Sequence, residues 1–329
     1  METEYESCAI CPRACGVNRN KGERGFCGET ADLRLAWAGL HFGEEPPVTG
    51  KCGSGTIFVT GCNLRCKFCQ NFQISQDGTG RAVTADEFAS IALALEHAGA
   101  ENINVVTGSH AIPAIATSLR ASRARGLSIP VLWNSSAYEN PEALELLAGL
   151  VSVWLPDLKT LNPELSGNVF LAADYPKAAK KAIRRMTELS PLVMSHEGED
   201  GYPEGKIESG VIVRHLALPG RLADTELVLD WFAERLSERA ILSLMTQYTP
   251  VAASEHARGI DAFPDRPFAR EEYDRVMAKV SELGIDRGFY QELVQDTEWL
   301  PDFNRLQPFS SALARPIWHW STGFIDTNP

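Results

Sequence analysis

The sequence predicts an α/β protein: an open, partial (β/α)6 barrel of parallel strands, with a small Cys-rich metal-bound N-terminal segment and a C-terminal extension. Three observations predict this. Short Val/Ile/Leu-rich runs alternate with helical patterns between residues 56 and 247. Six such runs can be counted, two short of a closed eightfold barrel. All eight cysteines fall between Cys8 and Cys69, before the second run begins.

The elements follow in order. Thr56–Thr60 is a short β run leading directly into a cysteine cluster. Thr84, Ala85, Asp86 and Glu87 form a capping box, and an apolar helical pattern runs on to His97 and stops at Gly99. Asn102–Thr107 is the second strand, followed by a helix over about 111–125 that Gly126 closes. Pro130–Asn134 is the third strand. Asn140 and Pro141 read as N-cap and first helical residue of a helix reaching Ala148. Val151–Leu155 is the fourth strand, ending at Asp157, Leu158 and Lys159. Tyr175–Leu189 is helical, Val211–Leu218 is the fifth strand, Asp224–Glu238 a helix and Ala240–Gln247 the sixth strand. The expected division is a metal-binding segment over 1–50, the barrel over 51–250 and an extension over 251–329. The extension holds one clear helix, about 270–283, and a Pro/aromatic-rich end. Residues 190–210 form a long polar loop, of a length that usually marks function or mobility.

Composition excludes several classes of function. Apolar residues make up 44% of the 329, enough for a large core. Lysine and arginine number 31 against 43 acids, a net charge of −12, which disfavours a nucleic-acid binder or a basic membrane-surface protein. No run approaches the roughly 18 apolar residues of a spanning helix. The acidic opening Met1–Glu6 has no apolar signal region. The expectation is a cytoplasmic protein, without nucleic-acid or membrane partners.

Eight thiols crowded into such a chain read as metal ligands, not as a disulfide scaffold. Cys62, Cys66 and Cys69 stand as C-x3-C-x2-C directly after the first strand. A tight loop of that spacing can turn three thiolates onto three irons of one cubane cluster, leaving the fourth iron open to a chelating substrate. A zinc knuckle is the alternative, and it needs a fourth ligand. Cys8, Cys11, Cys15 and Cys27 form a second set, C-x2-C-x3-C-x11-C, which suits either tetrahedral zinc or an auxiliary [4Fe–4S] cluster. Cys52 reads as a plain reduced cysteine, with a ligand role beside the first set as the alternative.

The first set, with Phe68 before its last cysteine, resembles the signature of the radical S-adenosylmethionine (SAM) superfamily. Gly53–Phe58, Gly61–Asn71, Asn134–Tyr138, Asp157–Lys159, Arg214–Gly220 and Gln247–Tyr248 narrow the resemblance. They are similar to pyruvate formate-lyase activating enzyme and to an uncharacterised activase-like branch, from Cys8 to about Pro250. The resemblance implies a [4Fe–4S] cluster on Cys62, Cys66 and Cys69, SAM as cofactor, and a 5′-deoxyadenosyl radical that abstracts a substrate hydrogen. The radical chemistry belongs to the cofactor, and the chain supplies binding and orientation.

Site roles follow from the same resemblance. Phe68 packs beside the adenine. Gly108 and Ser109 stand where relatives carry Gly-Gly-Glu against the methionyl amine, with His110 in place of the acid. Asn134, Ser135 and Gln247 lie at strand ends around the cofactor. Asp157 accepts from its amine, Lys159 pairs with its carboxylate, and Arg214 clamps a carboxylate with its planar fork. His110 and His215 are candidate catalytic residues. His41, His97, His256 and His319 read as structural or surface residues, and His196 in the long loop is open. The favoured function is a radical enzyme acting on a small molecule or peptide. The alternatives are an activase taking a glycine Cα hydrogen from a partner glycyl-radical protein, and a non-enzymatic iron–sulfur carrier or scaffold. An electron donor such as flavodoxin or ferredoxin is the implied redox partner.

Overall fold

The computed structural model describes residues 2–196, 198, 205–251, 260–293 and 300–325. Nine strands carry the architecture: β1 (Leu33–His41), β2 (Ser54–Val59), β3 (Ile103–Val106), β4 (Val131–Ser135), β5 (Val153–Pro156), β6 (Ile207–Leu216), β7 (Ile241–Met245), β8 (Gly288–Tyr290) and β9 (Ala314–His319). From β2 to β8 each strand pairs in parallel with the next, in chain order. β1 pairs antiparallel with β2, and β9 antiparallel with β1. Among the described residues the two ends of the sheet do not pair, so the barrel is open.

The six expected parallel strands are β2 to β7. Two features depart from the expectation. β1 lies within the segment expected as a small Cys-rich metal-binding unit, and it joins the sheet. It is buried on both faces along most of its length, so it carries no alternation to detect. The chain after residue 250 is woven into both edges of the sheet, as β8 beside β7 and β9 beside β1. A three-residue strand such as β8 is below what pattern reading resolves.

The helices fall where their caps put them. Thr84 Oγ1 accepts from Glu87 N at 3.1 Å and opens Ala85–His97. Ile112–Ala124 follows β3, and Tyr175–Leu189 packs against β6. The helix expected to reach Ala148 is one α-turn, Pro141–Leu144, continued by a 3-10 turn at Glu145–Leu147. A further helix, Pro163–Phe170, is capped by Asn162, whose side-chain oxygen accepts from Glu164 N and Leu165 N. In the long loop, Val193–Met194 pairs with β6 and His196 is exposed. Residues 197 and 199–204 of that loop, and His256, lie outside the described residues.

The N-terminal segment has little apolar mass and is held by arginines. Arg19 is 1% exposed. It donates to Thr30 O and His110 O and lies over the Tyr5 ring, with its guanidinium carbon 4.3 Å from the centroid. Arg13 donates to Asn63 O at 2.9 Å and to the Phe170 and Leu171 carbonyls, and stacks on Phe26. Each guanidinium offers five donors in a fixed fork, so one side chain satisfies several carbonyls from different elements.

The tail is latched to the strand-end loop after β6 by Glu272, in the first turn of helix Arg270–Glu282. Its carboxylate accepts from Gly220 N at 2.6 Å and Ala269 N at 2.8 Å, and pairs with Arg266 at 2.7 Å. The Arg266 guanidinium, with these backbone donors, holds the Glu272 carboxyl down to about 2. Its folded pKa is thus below the unfolded value, so its contribution is present above the ordinary carboxylate range and is lost as pH falls towards 2. Glu272→Gln is expected to lower the melting temperature at pH 7. The gap to wild type should close progressively below about pH 4.5 in a thermal-melt series; a pH-independent gap contradicts the assignment.

Candidate active site

The loop after β2 is shaped by contacts on every side. Gly61 has φ +83°, and a Cβ there would collide with the buried Glu29 side chain and lie 3.1 Å from Cys27 O. Gly61 N donates to Ile74 O at 2.9 Å and Lys67 N to Val169 O at 3.0 Å. The Gln76 amide donates to Cys66 O at 3.1 Å, and buried Asn63 donates through Nδ2 to Tyr138 O at 2.6 Å. Cys62 Sγ accepts from Leu64 N at 3.4 Å, and Cys69 Sγ lies 3.3 Å from Ser75 Oγ. The loop is therefore fixed from four directions before any metal is considered.

A cavity of about 340 Å³ opens at the C-terminal ends of the strands. Cys66, Phe68, Cys69 and Asn71 line it from the loop, and Thr107, Asn134, Asp157, Lys159 and Arg214 from β3 to β6. Phe58, His41, Glu44, Pro301 and Phe309 close its far side. Phe68 stands in an aromatic cluster, its ring centroid 5.9 Å from Phe170, 5.8 Å from Tyr248 and 5.7 Å from Phe263. Edge-on contacts of this kind hold a ring in one orientation.

Asp157 and Lys159 form an ion pair at 2.7 Å, with side chains 28% and 20% exposed. The turn between them is clamped by Tyr175, whose hydroxyl donates to Asp157 O at 2.6 Å and accepts from Lys159 N at 2.9 Å. Burial pulls the Lys159 pKa down, but Asp157 and Cys66 outweigh it, and the ammonium is held well above its ordinary range. It stays charged across the working pH range.

Three sequence expectations change here. Arg214 does line the cavity, but its fork is already filled: Nε donates to Glu45 at 2.8 Å, and Nη2 to Glu44 at 2.5 Å and to Glu45. The carboxylates that it clamps are the chain's own. His215, expected as a catalytic candidate, is a strut. It is 2% exposed, with Nδ1 2.7 Å from Leu158 O and Nε2 3.0 Å from Thr225 Oγ1. Both ring nitrogens are used, and burial pushes its pKa down to about 4. His110 turns away from the strand-end cavity and lines a separate one with the N-terminal cysteines.

The remaining expected residues divide. Asn134 lines the cavity. Ser135 is buried and donates to Glu139 at 2.9 Å, supporting the loop after β4. Gly108 packs its backbone against Ile115 and Trp133, which occupy the space of a Cβ, and Ser109 is fully buried. Gln247 is half-buried, and its neighbours Tyr248 and Thr249 reach the cavity instead. Glu44, Glu45, Tyr175 and Phe309 were not found from sequence. Glu44 and Glu45 are two acids before a proline pair, with nothing local to point at an arginine 169 residues away.

The donor set fits an iron–sulfur cluster. Burial pushes the Cys62 thiol up to about 12, and raises Cys66 and Cys69 as well. Thiolates form at such positions when a metal supplies the positive charge.

Burying Arg214 with two carboxylates makes each partner indispensable. Burial raises the Glu45 pKa, but Arg214 overcomes this and holds it below the ordinary range. Glu45→Gln should destabilise the protein by about 3–5 kcal/mol in urea unfolding at neutral pH, because it strands part of a buried charge. A loss under about 1 kcal/mol contradicts this.

A family model described as the Radical SAM superfamily matches residues 56–196. An uncharacterized protein of Methanocaldococcus jannaschii, MJ0674, is 29% identical over 294 residues, covering 86% of this chain and 76% of the relative. A second uncharacterized protein of that organism, MJ0808, is 29% identical over 103 residues, 26% of this chain and 30% of its own. Among solved structures, Streptococcus suis SuiB bound to precursor peptide SuiA is 14% identical with a TM-score of 0.49, over 70% of this chain. The match spans 46% of SuiB, less than half its length. A domain of pyruvate-formate lyase-activating enzyme from Bacteroides vulgatus is 13% identical with a TM-score of 0.38, over 55% of this chain and 91% of that domain.

Proposed function

We propose, from the premise that residues 56–196 form a domain of the radical SAM superfamily, an enzyme that abstracts hydrogen from a small molecule or peptide. One observation carries the reading: Cys66, Cys69, Phe68 and the Asp157–Lys159 pair all face a single cavity at the strand ends. An electron carrier has no use for such a cavity, nor for a charged pair beside its cluster.

When bound, the [4Fe–4S] cluster supplies one electron for cleaving SAM to methionine and a 5′-deoxyadenosyl radical, which takes the substrate hydrogen. Every other task falls to the chain. Cys62, Cys66 and Cys69 hold the cluster, and Phe68 with its ring partners offers the adenine a flat apolar edge. Asp157 presents an acceptor to the methionyl amine. Lys159, kept charged, offers the carboxylate a cation; Arg214 is engaged by Glu44 and Glu45 and fixes the wall. Asn134 and Thr107, which line the cavity, border the cofactor. Phe58 and Phe309 shield the reacting centre from water, which guards a reactive radical against side reactions. Outside the barrel, Cys8, Cys11, Cys15 and Cys27 hold a second metal. A one-electron donor of the flavodoxin or ferredoxin type supplies the electron.

The enclosure of the cavity supports the substrate class. Tail residues Pro301 and Phe309 wall the cavity beside Phe58, which suits a small molecule or a short peptide segment.

The test is anaerobic reconstitution with iron and sulfide, followed by SAM and dithionite. 5′-Deoxyadenosine and methionine should appear with wild type and vanish when Cys62, Cys66 and Cys69 are all alanine. Asp157→Asn should weaken SAM binding about ten- to a hundredfold, as expected for a charge-assisted contact of about 1.5–3 kcal/mol, with cluster content unchanged. Unchanged affinity with collapsed turnover would move Asp157 to the substrate.

A further inference from the structure

Cys8, Cys11, Cys15 and Cys27 line one cavity, and all four lie before the matched family segment, residues 56–196. Their approach is dictated by short turns. Cys8 N donates to Val17 O and Gly16 N to Cys8 O, a tight pair of bonds that brings Cys8 opposite the end of the Cys11–Cys15 turn. Ala14 N donates to Cys11 O, with Ala14 at φ +41°. Gly25 leaves room beside Cys15, whose sulfur would sit 3.0 Å from a Cβ there, and Phe26 N donates to that sulfur at 3.4 Å.

A second observation comes from a different element. His110, on the turn after β3, lines the same cavity, is 3% exposed, and its Nδ1 has no hydrogen-bond partner. A buried ring nitrogen left without a partner costs about 1–3 kcal/mol. An occupant of the cavity would remove that cost. Arg19 flanks the same space, holding His110 through its carbonyl at 2.6 Å with its Nη1 3.9 Å from Cys8 Sγ.

Four thiolates presented by short turns are a donor set for a soft metal centre, zinc or an iron–sulfur cluster, and its place beside a second cysteine loop favours the redox-active one. The two sites also touch. The Cys27 carbonyl lies against Gly61, and Arg13 donates to Asn63 O.

We infer that Cys8, Cys11, Cys15 and Cys27 hold a second [4Fe–4S] cluster, capped by His110, near enough to the Cys62–Cys69 cluster to exchange an electron. The exchange is one-electron: one cluster is oxidised as the other is reduced, and a low-potential flavin or iron–sulfur protein replaces the electron. The inference rests on the proposed function for the identity of the first cluster only.

The experiment uses the full chain, reconstituted anaerobically and checked for folding by circular dichroism. Wild type should bind about eight irons and eight sulfides, and the Cys62/Cys66/Cys69→Ala variant about four of each. Cys11→Ser should lose the second cluster, and Cys15→Ser, at an exposed position, serves if Cys11→Ser does not fold. Dithionite-reduced wild type should give a spin-coupled, broadened low-temperature EPR spectrum that becomes a simple spin-half signal in either set of variants. His110→Leu should shift the g-values of the signal left in the triple alanine variant. One zinc, or no metal, in that variant overturns the second cluster whatever becomes of SAM cleavage. Two uncoupled signals in wild type overturn the electron exchange. If the triple variant keeps four irons but wild type never cleaves SAM, the proposed function fails and the second cluster stands.

Discussion

A guanidinium shared by two carboxylates organises the mouth of the barrel. Arg214 rises from β6, while Glu44 and Glu45 stand just after β1, so the contact crosses the barrel interior between strands far apart in the sheet. In the low effective dielectric of a buried site, each charge needs its partners far more than it would at the surface. The side chains of all three are 10% exposed or less. Glu44 carries the tie onward, accepting from Asn104 on β3 at 3.0 Å and standing 3.6 Å from His41. Arg214 and Glu44 also border a neighbouring cavity along β7 and β8. The ion pair is thus a wall with space on both sides, and it sets how deep the strand-end cavity runs.

That wall explains why the site was only partly legible in the sequence. The cysteine spacing, Phe68 and the Asp157–Lys159 pair are local patterns, and local patterns survive in a linear reading. Arg214 is also local, since it sits where a strand ends. Its partners are not, because two adjacent acids before prolines look like any solvated loop. The same distinction sorts the histidines. A histidine at a strand end reads as a site residue, yet the ring of His215 points back to Leu158 and Thr225, and that of His110 points to the N-terminal segment. Position along a strand is legible; the side on which a ring lands depends on neighbours that the sequence does not name.

The fold shows the same boundary. Helices with caps, such as Ala85–His97 under Thr84, and strands rich in branched residues were legible to within a few residues. β1 and β9 were not, because their burial comes from one another. Trp37 on β1 pairs with Phe58 on β2 and His319 on β9. It packs edge-on against Phe58 and Phe309 at 5.9 and 5.6 Å. The tail therefore contributes an aromatic wall to the cavity and a strand to the sheet. Neither role is visible in a segment whose partners lie more than 200 residues away.

The cysteine loops tie the folding of the N-terminal segment to that of the barrel loop. Buried thiols resist ionisation: Cys11 is pushed up to about 11 by burial, and Cys62 to about 12. A metal bound by these thiols would displace those protons, so its binding would be linked to pH and release acid. Yet the loop of Cys62, Cys66 and Cys69 is not shaped by metal alone. Ile74, Val169, Tyr138 and Arg13 each fix its backbone or its asparagine from a different element. Two of those contacts, at Arg13 and at Cys27 against Gly61, come from the segment that carries the other four thiols. The N-terminal segment must therefore be docked for the barrel loop to take its full set of contacts. Docking in turn depends on Arg13 and Arg19, whose forks bind main-chain carbonyls of several elements, the buried one of His110 among them. The two cysteine sets are in this way a single folding unit, even though two whole strands and 34 residues of chain separate Cys27 from Cys62.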